Sequence, residues 1–105
     1  MITLLNAPIL TSFGTYEYRS IEVEQAKELV AIGFQSFIGH ESTADILSRL
    51  LDIKVPHNRA AYVQQVGEEA LIFQLKSRIL AGTVLQTAEE IENVGYQFGV
   101  LKRIQ

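Results

Sequence analysis

The period of the hydrophobic residues changes repeatedly along this chain, and the order of those changes constrains the fold. Ile2–Leu5 is a short apolar run and Tyr16–Ile21 alternates with polar positions, so both segments predict β-strands. From Glu22 the apolar residues recur at helical spacing until Gly33 ends the pattern. Strands that alternate with helices predict a sheet covered by helices.

The rest of the chain continues this alternation. A third strand over Gln35–Ile38 and a second helix over Ser42–Leu51 are predicted first. Ala60–Gln65 and Ala70–Lys76 then flank a short glycine-containing connection, which favours a β-hairpin. The second of these two segments is nearly all apolar and is expected at the centre of the sheet.

A capping box and a last strand complete the prediction. Thr87-Ala88-Glu89-Glu90 is typical of a helix start, and a strand is expected around Tyr96–Leu101. The fold class is therefore α/β, with a mixed five- or six-stranded sheet flanked by about three helices. A chain of 105 residues, 48% of them hydrophobic, can bury one modest core, so a single domain over residues 1–105 is expected.

Composition excludes several classes of function. The chain has no cysteine, so it can form neither a disulfide framework nor a thiolate metal site. No signal peptide or run of membrane-spanning length is apparent, and we expect a cytoplasmic protein with no membrane partner. The formal net charge of −3 argues against binding to duplex DNA, which needs many basic contacts to phosphates.

The segment that joins the third strand to the second helix carries the clearest chemical pattern, Ile38-Gly39-His40-Glu41-Ser42-Thr43. Unpaired N–H groups at a helix start favour an anion, and the hydroxyls of Ser42 and Thr43 can add donors. His40 is the nearby side chain that can change protonation near neutral pH. The pattern indicates a phosphate site with a proton donor. A loop histidine bonded to the backbone and a Ser42 that only caps the helix are the plainer alternatives.

Two arginines are further candidates. Arg78 follows the apolar strand, and its guanidinium could bind a phosphate at the end of the sheet. An ordinary surface arginine is the commoner case, and Arg59 allows the same two interpretations. No metal site is predicted, because His40 and His57 lack a second ligand at helical spacing. A serine hydrolase is disfavoured because no Gly-x-Ser-x-Gly elbow occurs.

Glutamines and aromatic residues could recognise a nucleobase. Gln64, Gln65 and Gln74 could read an adenine edge, and Tyr62 or Phe73 could stack on the base. Exposure to solvent is the default interpretation for the glutamines, and core packing is the default for the aromatic residues.

Taken together, five segments resemble the viral anti-CRISPR ring nucleases in order and spacing. They are Leu5-Asn6-Ala7, Ile38-Gly39-His40-Glu41-Ser42-Thr43, Asn58-Arg59, Gly67–Leu75 and Ser77-Arg78-x-x-x-Gly82-x-Val84-Leu85. The resemblance covers almost the whole chain, and Gly-His-x-Ser-Thr is its most specific mark. Such proteins occur in archaeal viruses, bacterial genomes and mobile elements. The family is a small α/β homodimer that degrades cyclic tetra-adenylate, the second messenger of type III CRISPR antiviral defence.

The resemblance implies a role for individual residues. His40 and Arg78 match the catalytic residues, and the matching ligand contacts are Asn6, Ser42, Thr43, Arg59 and Gln74. Thr11 is assigned to the ligand as a replacement for a contact of the family's first loop. The implied reaction uses no metal or cofactor. A ribose 2′-hydroxyl attacks its own phosphate, His40 protonates the departing 5′-oxygen, and a cyclic 2′,3′-phosphate forms. A two-fold dimer presents two identical sites to opposite phosphodiesters and releases a linear di-adenylate.

Ala81 departs from the family pattern, in which a glutamate usually precedes the glycine at the position of Gly82. The first loop differs too, with Thr11 or Ser12 standing where archaeal viral members carry other polar contacts. Both differences bear on turnover and ligand preference more than on fold. They keep open a non-catalytic protein that binds cyclic oligoadenylate as a sponge or sensor. A nucleic-acid-binding dimer is the third alternative, and the acidic charge and lack of a basic stripe count against it.

Overall fold

The part of the chain that the structure describes forms a mixed five-stranded sheet with two helices. The computed structural model describes residues 2–7, 10, 12–60, 62–75 and 95–105. The strands are β1 Ile2–Leu5, β2 Tyr16–Ile21, β3 Phe34–Ser36, β4 Glu69–Leu75 and β5 Tyr96–Arg103, and the helices are α1 Val23–Ala31 and α2 Glu41–Leu51. Within these residues neither helix has the length and apolar character needed to cross a membrane.

The strand order places the carboxyl ends of three parallel strands at the same end of the sheet. The order is β2-β5-β4-β1-β3, so β4 lies at the centre as the sequence predicts. Strand β1 pairs in parallel with both β3 and β4, whereas β5 is antiparallel to β2 and β4. The carboxyl ends of β1, β3 and β4 therefore lie together, at an edge that we call the carboxyl edge.

Both faces of the sheet are covered, which explains the nearly continuous apolar sequence of β4. Successive side chains of a strand point to opposite faces of the sheet. Leu4, Leu71 and Phe73 pack with residues of α1 and α2 on one face. Leu5 and Ile72 lie on the other face, in a smaller cluster against Tyr16, Phe37 and Tyr62.

Local signals explain the bounds of the helices. Helix α1 follows Glu22, whose backbone N–H donates to Oε1 of Gln25 at 2.9 Å in a reciprocal capping arrangement. Gly33, with φ of 128°, ends the segment. Helix α2 begins at Glu41, one residue before the predicted start, because His40 is already the extended N-cap residue. The predicted third helix after Thr87 lies outside the described residues.

The α/β class and the five-stranded mixed sheet are confirmed, but the predicted hairpin is wrong. Residues 62–65 form no strand, because β4 already pairs with β1 on one side and β5 on the other. Gln64 ties this segment down through its side chain, whose Nε2 donates to the carbonyls of Glu68 and Leu101 at 2.7 and 2.8 Å. The homodimer stays a prediction, since the structure is of a single chain.

Candidate functional site

The carboxyl edge collects most of the predicted site residues. Asn6 follows β1, His40 lies between β3 and α2, and Gln74 is the penultimate residue of β4. In sheets with parallel strands, ligands bind in the crevice outside the carboxyl ends of the strands. Thr11 and Arg78 lie outside the described residues.

His40 occupies the start of α2 with its side chain exposed. Its backbone is extended, with φ of −123° and ψ of 126°, and its imidazole makes no capping hydrogen bond. Its carbonyl accepts the N–H of Ala44 at 3.0 Å, which is the first bond of the helix. Ser42 is exposed in the first turn and Thr43 is half-buried, so the alternative of Ser42 as N-cap is wrong. His40 therefore stands at the N-terminus of α2, where the first backbone N–H groups have no partner within the helix.

Residues 57–59 fold back beside the turn that leads to His40. The backbone N–H of Asn58 donates to the carbonyl of Ile38, and its side-chain Nδ2 donates to the carbonyl of Ser36, both at 2.9 Å. His57 Nε2 lies 3.1 Å from the carbonyl oxygen of Gly39, which requires the ring tautomer protonated at Nε2. We call residues 56–59 the return segment.

Ser36 connects the return segment to the turn from inside the protein. It is 4% exposed. Its hydroxyl donates to the carbonyl of Pro56 at 2.7 Å and accepts the N–H of Ile38 at 3.3 Å. This role of Ser36 is not recognisable from the sequence, because an isolated serine in a short strand carries no signal that distinguishes it.

The return segment also brings Arg59 to the turn. A Cβ atom built on Gly39 would lie 3.7 Å from Cγ of Arg59, so the arginine stem packs beside the glycine. Arg59 is exposed and forms no ion pair with any described residue. An exposed cation, an exposed imidazole and a helix start thus share one small region, which can attract a phosphate group.

Gly39→Ala tests whether the fold itself needs this glycine. We expect the free energy of unfolding to change by less than about 0.5 kcal/mol, because Gly39 lacks a positive φ and the new Cβ makes an ordinary contact. Urea denaturation measures the change. Gly33→Ala is the matched control, because φ of 128° strains any larger residue and the expected loss is about 1–3 kcal/mol. Equal losses in both variants would contradict the interpretation.

Gln74 lies on the face opposite the helices, with its own polar neighbours. It is paired with Gln97 across β4 and β5, and its Oε1 accepts Nε2 of Gln97 at 3.0 Å and the hydroxyl of Tyr18 at 3.3 Å. Burial raises the pKa of Tyr18, so its hydroxyl remains a donor. The Tyr18 ring lies against Gly99, where a Cβ atom would clash with it.

Several other candidate side chains belong to the interior. Phe73 is 1% exposed and packs between Tyr96 and Phe98, so its interpretation as a base-stacking residue is wrong. Gln64 is buried and bonded to backbone carbonyls, which leaves it no role in reading a base. Tyr62 is half-buried against Phe37, with ring centroids 5.2 Å apart.

The described residues offer no group of three His, Asp or Glu side chains suited to a metal ion.

The structure brings together four of the predicted site residues, His40, Ser42, Thr43 and Arg59. Asn6 and Gln74 share the carboxyl edge but belong to other strands.

Comparison with known proteins agrees with this architecture. The chain matches the STIV B116-like family over residues 2–98. It is 35% identical over 108 residues to the uncharacterized protein ORF117 of Acidianus two-tailed virus, an alignment that covers 100% of this chain and 92% of that protein. It is 34% identical over 106 residues to the uncharacterized protein YddF of Bacillus subtilis, covering 98% and 97% of the two chains.

A solved structure has the same fold. B116 of Sulfolobus turreted icosahedral virus superposes with a TM-score of 0.81 at 24% identity, covering 96% of this chain and 97% of that one. The family match extends over nearly the full sequence, and relatives above 30% identity align along the same length. This chain therefore belongs to the STIV B116-like family.

Proposed function

We propose that this protein is a metal-independent ring nuclease that cleaves cyclic tetra-adenylate to linear di-adenylate. It acts as a cytoplasmic homodimer and lowers or regulates type III CRISPR signalling. The observation that carries the proposal is the exposed His40 at the start of α2, with Arg59 beside the same turn. A proton donor and an anion-binding helix start in one place are what phosphodiester cleavage without a metal needs.

The proposed reaction is an internal transesterification. The ribose 2′-oxygen forms a bond to phosphorus, its proton passes to solvent, and the bond from phosphorus to the 5′-oxygen breaks. His40 gives its proton to that 5′-oxygen, which leaves as a hydroxyl. The helix N–H groups and Arg59 stabilise the negative charge that grows on the phosphoryl oxygens, with Arg78 in the same role by its resemblance to the family's arginine.

The direct test uses three ring sizes. Purified protein is incubated with cyclic tri-, tetra- and hexa-adenylate, with and without excess EDTA, and products are separated by chromatography. We expect cyclic tetra-adenylate to yield di-adenylate ending in a 2′,3′-cyclic phosphate, at the same rate in EDTA. Intact substrate after long incubation at high protein concentration contradicts the proposal, and a rate abolished by EDTA contradicts metal independence.

Ala81 favours a second candidate, a protein that binds cyclic oligoadenylate without cutting it. The anion site at α2 serves either function, because binding needs the donors and only cleavage needs the proton transfer.

Ala81→Glu separates the two candidates. If the protein is a ring nuclease, restoring the glutamate of the family pattern should raise the single-turnover rate by about 10²-fold, the lower range for a positioned acid or base. Ala81→Gln is the matched control, since it has nearly the same size and no charge, and it should stay within a few-fold of the natural chain. Tight binding without product in all three proteins identifies the sponge or sensor.

A further inference from the structure

We infer that Asn58 is a positioning residue, which sets the place of His40 by supplying hydrogen-bond donors to the outer side of β3, where the described part of the sheet has no further strand. The inference rests on the proposed role of His40 as proton donor. Asn58 itself contacts the backbone before His40 and needs no contact with a ligand.

Among the described residues the outer side of β3 has no partner strand, because β3 is the last strand in their sheet order. The N–H of Phe37 bonds to the carbonyl of Leu4, so residue 37 faces β1. Backbone groups of successive residues in an extended chain point to opposite sides. The carbonyls of Ser36 and Ile38 consequently point away from β1, towards a side with no strand.

Asn58 supplies both missing donors. Its backbone N–H donates to the carbonyl of Ile38, and its side-chain Nδ2 donates to the carbonyl of Ser36. Both residues are buried, with Ile38 at 0% and Ser36 at 4% exposure, so these carbonyls have little access to water. A buried carbonyl without a donor is unfavourable, and the turn would shift to solvate it.

Such a shift reaches the proposed site directly. His40 is two residues after Ile38, and Arg59 immediately follows Asn58. The Asn58 side chain therefore controls the position of the proton donor, whereas the backbone N–H of Asn58, next to Arg59, keeps its bond to Ile38 when the side chain is replaced. The alternative, that α2 alone holds His40, gives no role to the two hydrogen bonds that Asn58 makes to the turn before the helix.

Asn58→Ala tests the inference, and its control is a variant that removes a hydrogen bond from a neighbouring part of the chain. The control is Ser48→Ala, because the Ser48 hydroxyl accepts the N–H of Val55 at 2.9 Å, just before the return segment and away from His40. Both variants are assayed at a temperature at which urea denaturation shows each fully folded. Asn58→Ala should lower the single-turnover rate at saturating substrate about 10²-fold, as misplacement of a reacting group does, and Ser48→Ala should change it less than about 3-fold. Equal effects of the two variants overturn the inference.

A double variant separates positioning from general destabilisation. In a His40→Ala background there is no imidazole to position, so adding Asn58→Ala should lower the residual rate less than about 3-fold. A loss as large as in the natural background shows that Asn58 does not act through His40 and overturns the inference.

Nuclear magnetic resonance of the ligand-free protein tests the positioning by Asn58 separately from the proposed cleavage activity. The His40 imidazole and backbone resonances should move in Asn58→Ala and stay in place in Ser48→Ala. If the natural protein cleaves no cyclic oligoadenylate, the proposed function fails while moved resonances still support the positioning by Asn58. Unmoved His40 resonances overturn the positioning, whatever the protein cleaves.

Discussion

His40→Ala will lower the single-turnover rate of cyclic tetra-adenylate cleavage about 10²–10⁴-fold, the usual cost of losing a general acid. The ligand should still bind, because the N–H groups of α2 and the guanidinium of Arg59 remain. Rapid-quench chromatography gives the rate, and equilibrium binding to the variant gives the affinity. An unchanged rate removes the proposed role of His40.

Two glutamine variants make this result specific to proton transfer. His40→Gln retains a polar side chain of similar reach that cannot act as an acid, so its rate should fall as far as that of His40→Ala. His57 Nε2 lies 3.1 Å from the carbonyl oxygen of Gly39, and His57→Gln retains an N–H donor for that carbonyl. The rate of His57→Gln should therefore stay within about 3-fold of that of the natural protein. A rate that is unchanged in His40→Gln and lowered about 10²-fold in His57→Gln assigns the acid to His57 instead.

Phe73→Ala should destabilise the fold by about 3–5 kcal/mol, the range for removing a buried aromatic ring. The ring is 1% exposed, and its centroid lies 5.3 Å from that of Phe98 and 6.2 Å from that of Tyr96. It also sits in the central strand, so the resulting cavity borders both β5 and the helices. Because domains of this size are stable by only about 5–15 kcal/mol, the midpoint of urea denaturation should fall steeply.

Phe13→Ala is the matched control, since the same atoms are removed from a side chain that is 103% exposed. It should change the free energy of unfolding by less than about 0.5 kcal/mol. Comparable losses in the two variants would show that Phe73 does not contribute through burial, and would contradict the described core.

The confirmed elements are those whose signals are local. The bounds of β1 and β2 agree with the predicted ones, and α1 follows its capping residues and ends before Gly33. The start of α2 differs by one residue, because the backbone of His40 is extended and makes it the cap. In each case the determinants lie within a few residues of the boundary.

The proposed site was predictable in part. The order of glycine, histidine and two hydroxyl residues indicated an anion site at a helix start, and the structure has His40, Ser42 and Thr43 there. The contribution of Asn58 was not predictable, because its partners Ser36 and Ile38 lie some twenty residues earlier and its hydrogen bonds go to their backbone. A backbone carbonyl can accept a hydrogen bond whatever its side chain is, so these bonds produce no pattern in the sequence.

The sequence by itself determined that β1, β2, β4 and β5 are strands and that α1 and α2 are helices, since period, caps and glycines act over a few residues. It also determined that a histidine lies at the start of α2. Only the tertiary structure decided that residues 62–65 lie outside the sheet, because that depends on both sides of β4 being occupied. It likewise decided that the return segment completes the outer side of β3, because unpaired backbone groups arise only once the strand order exists.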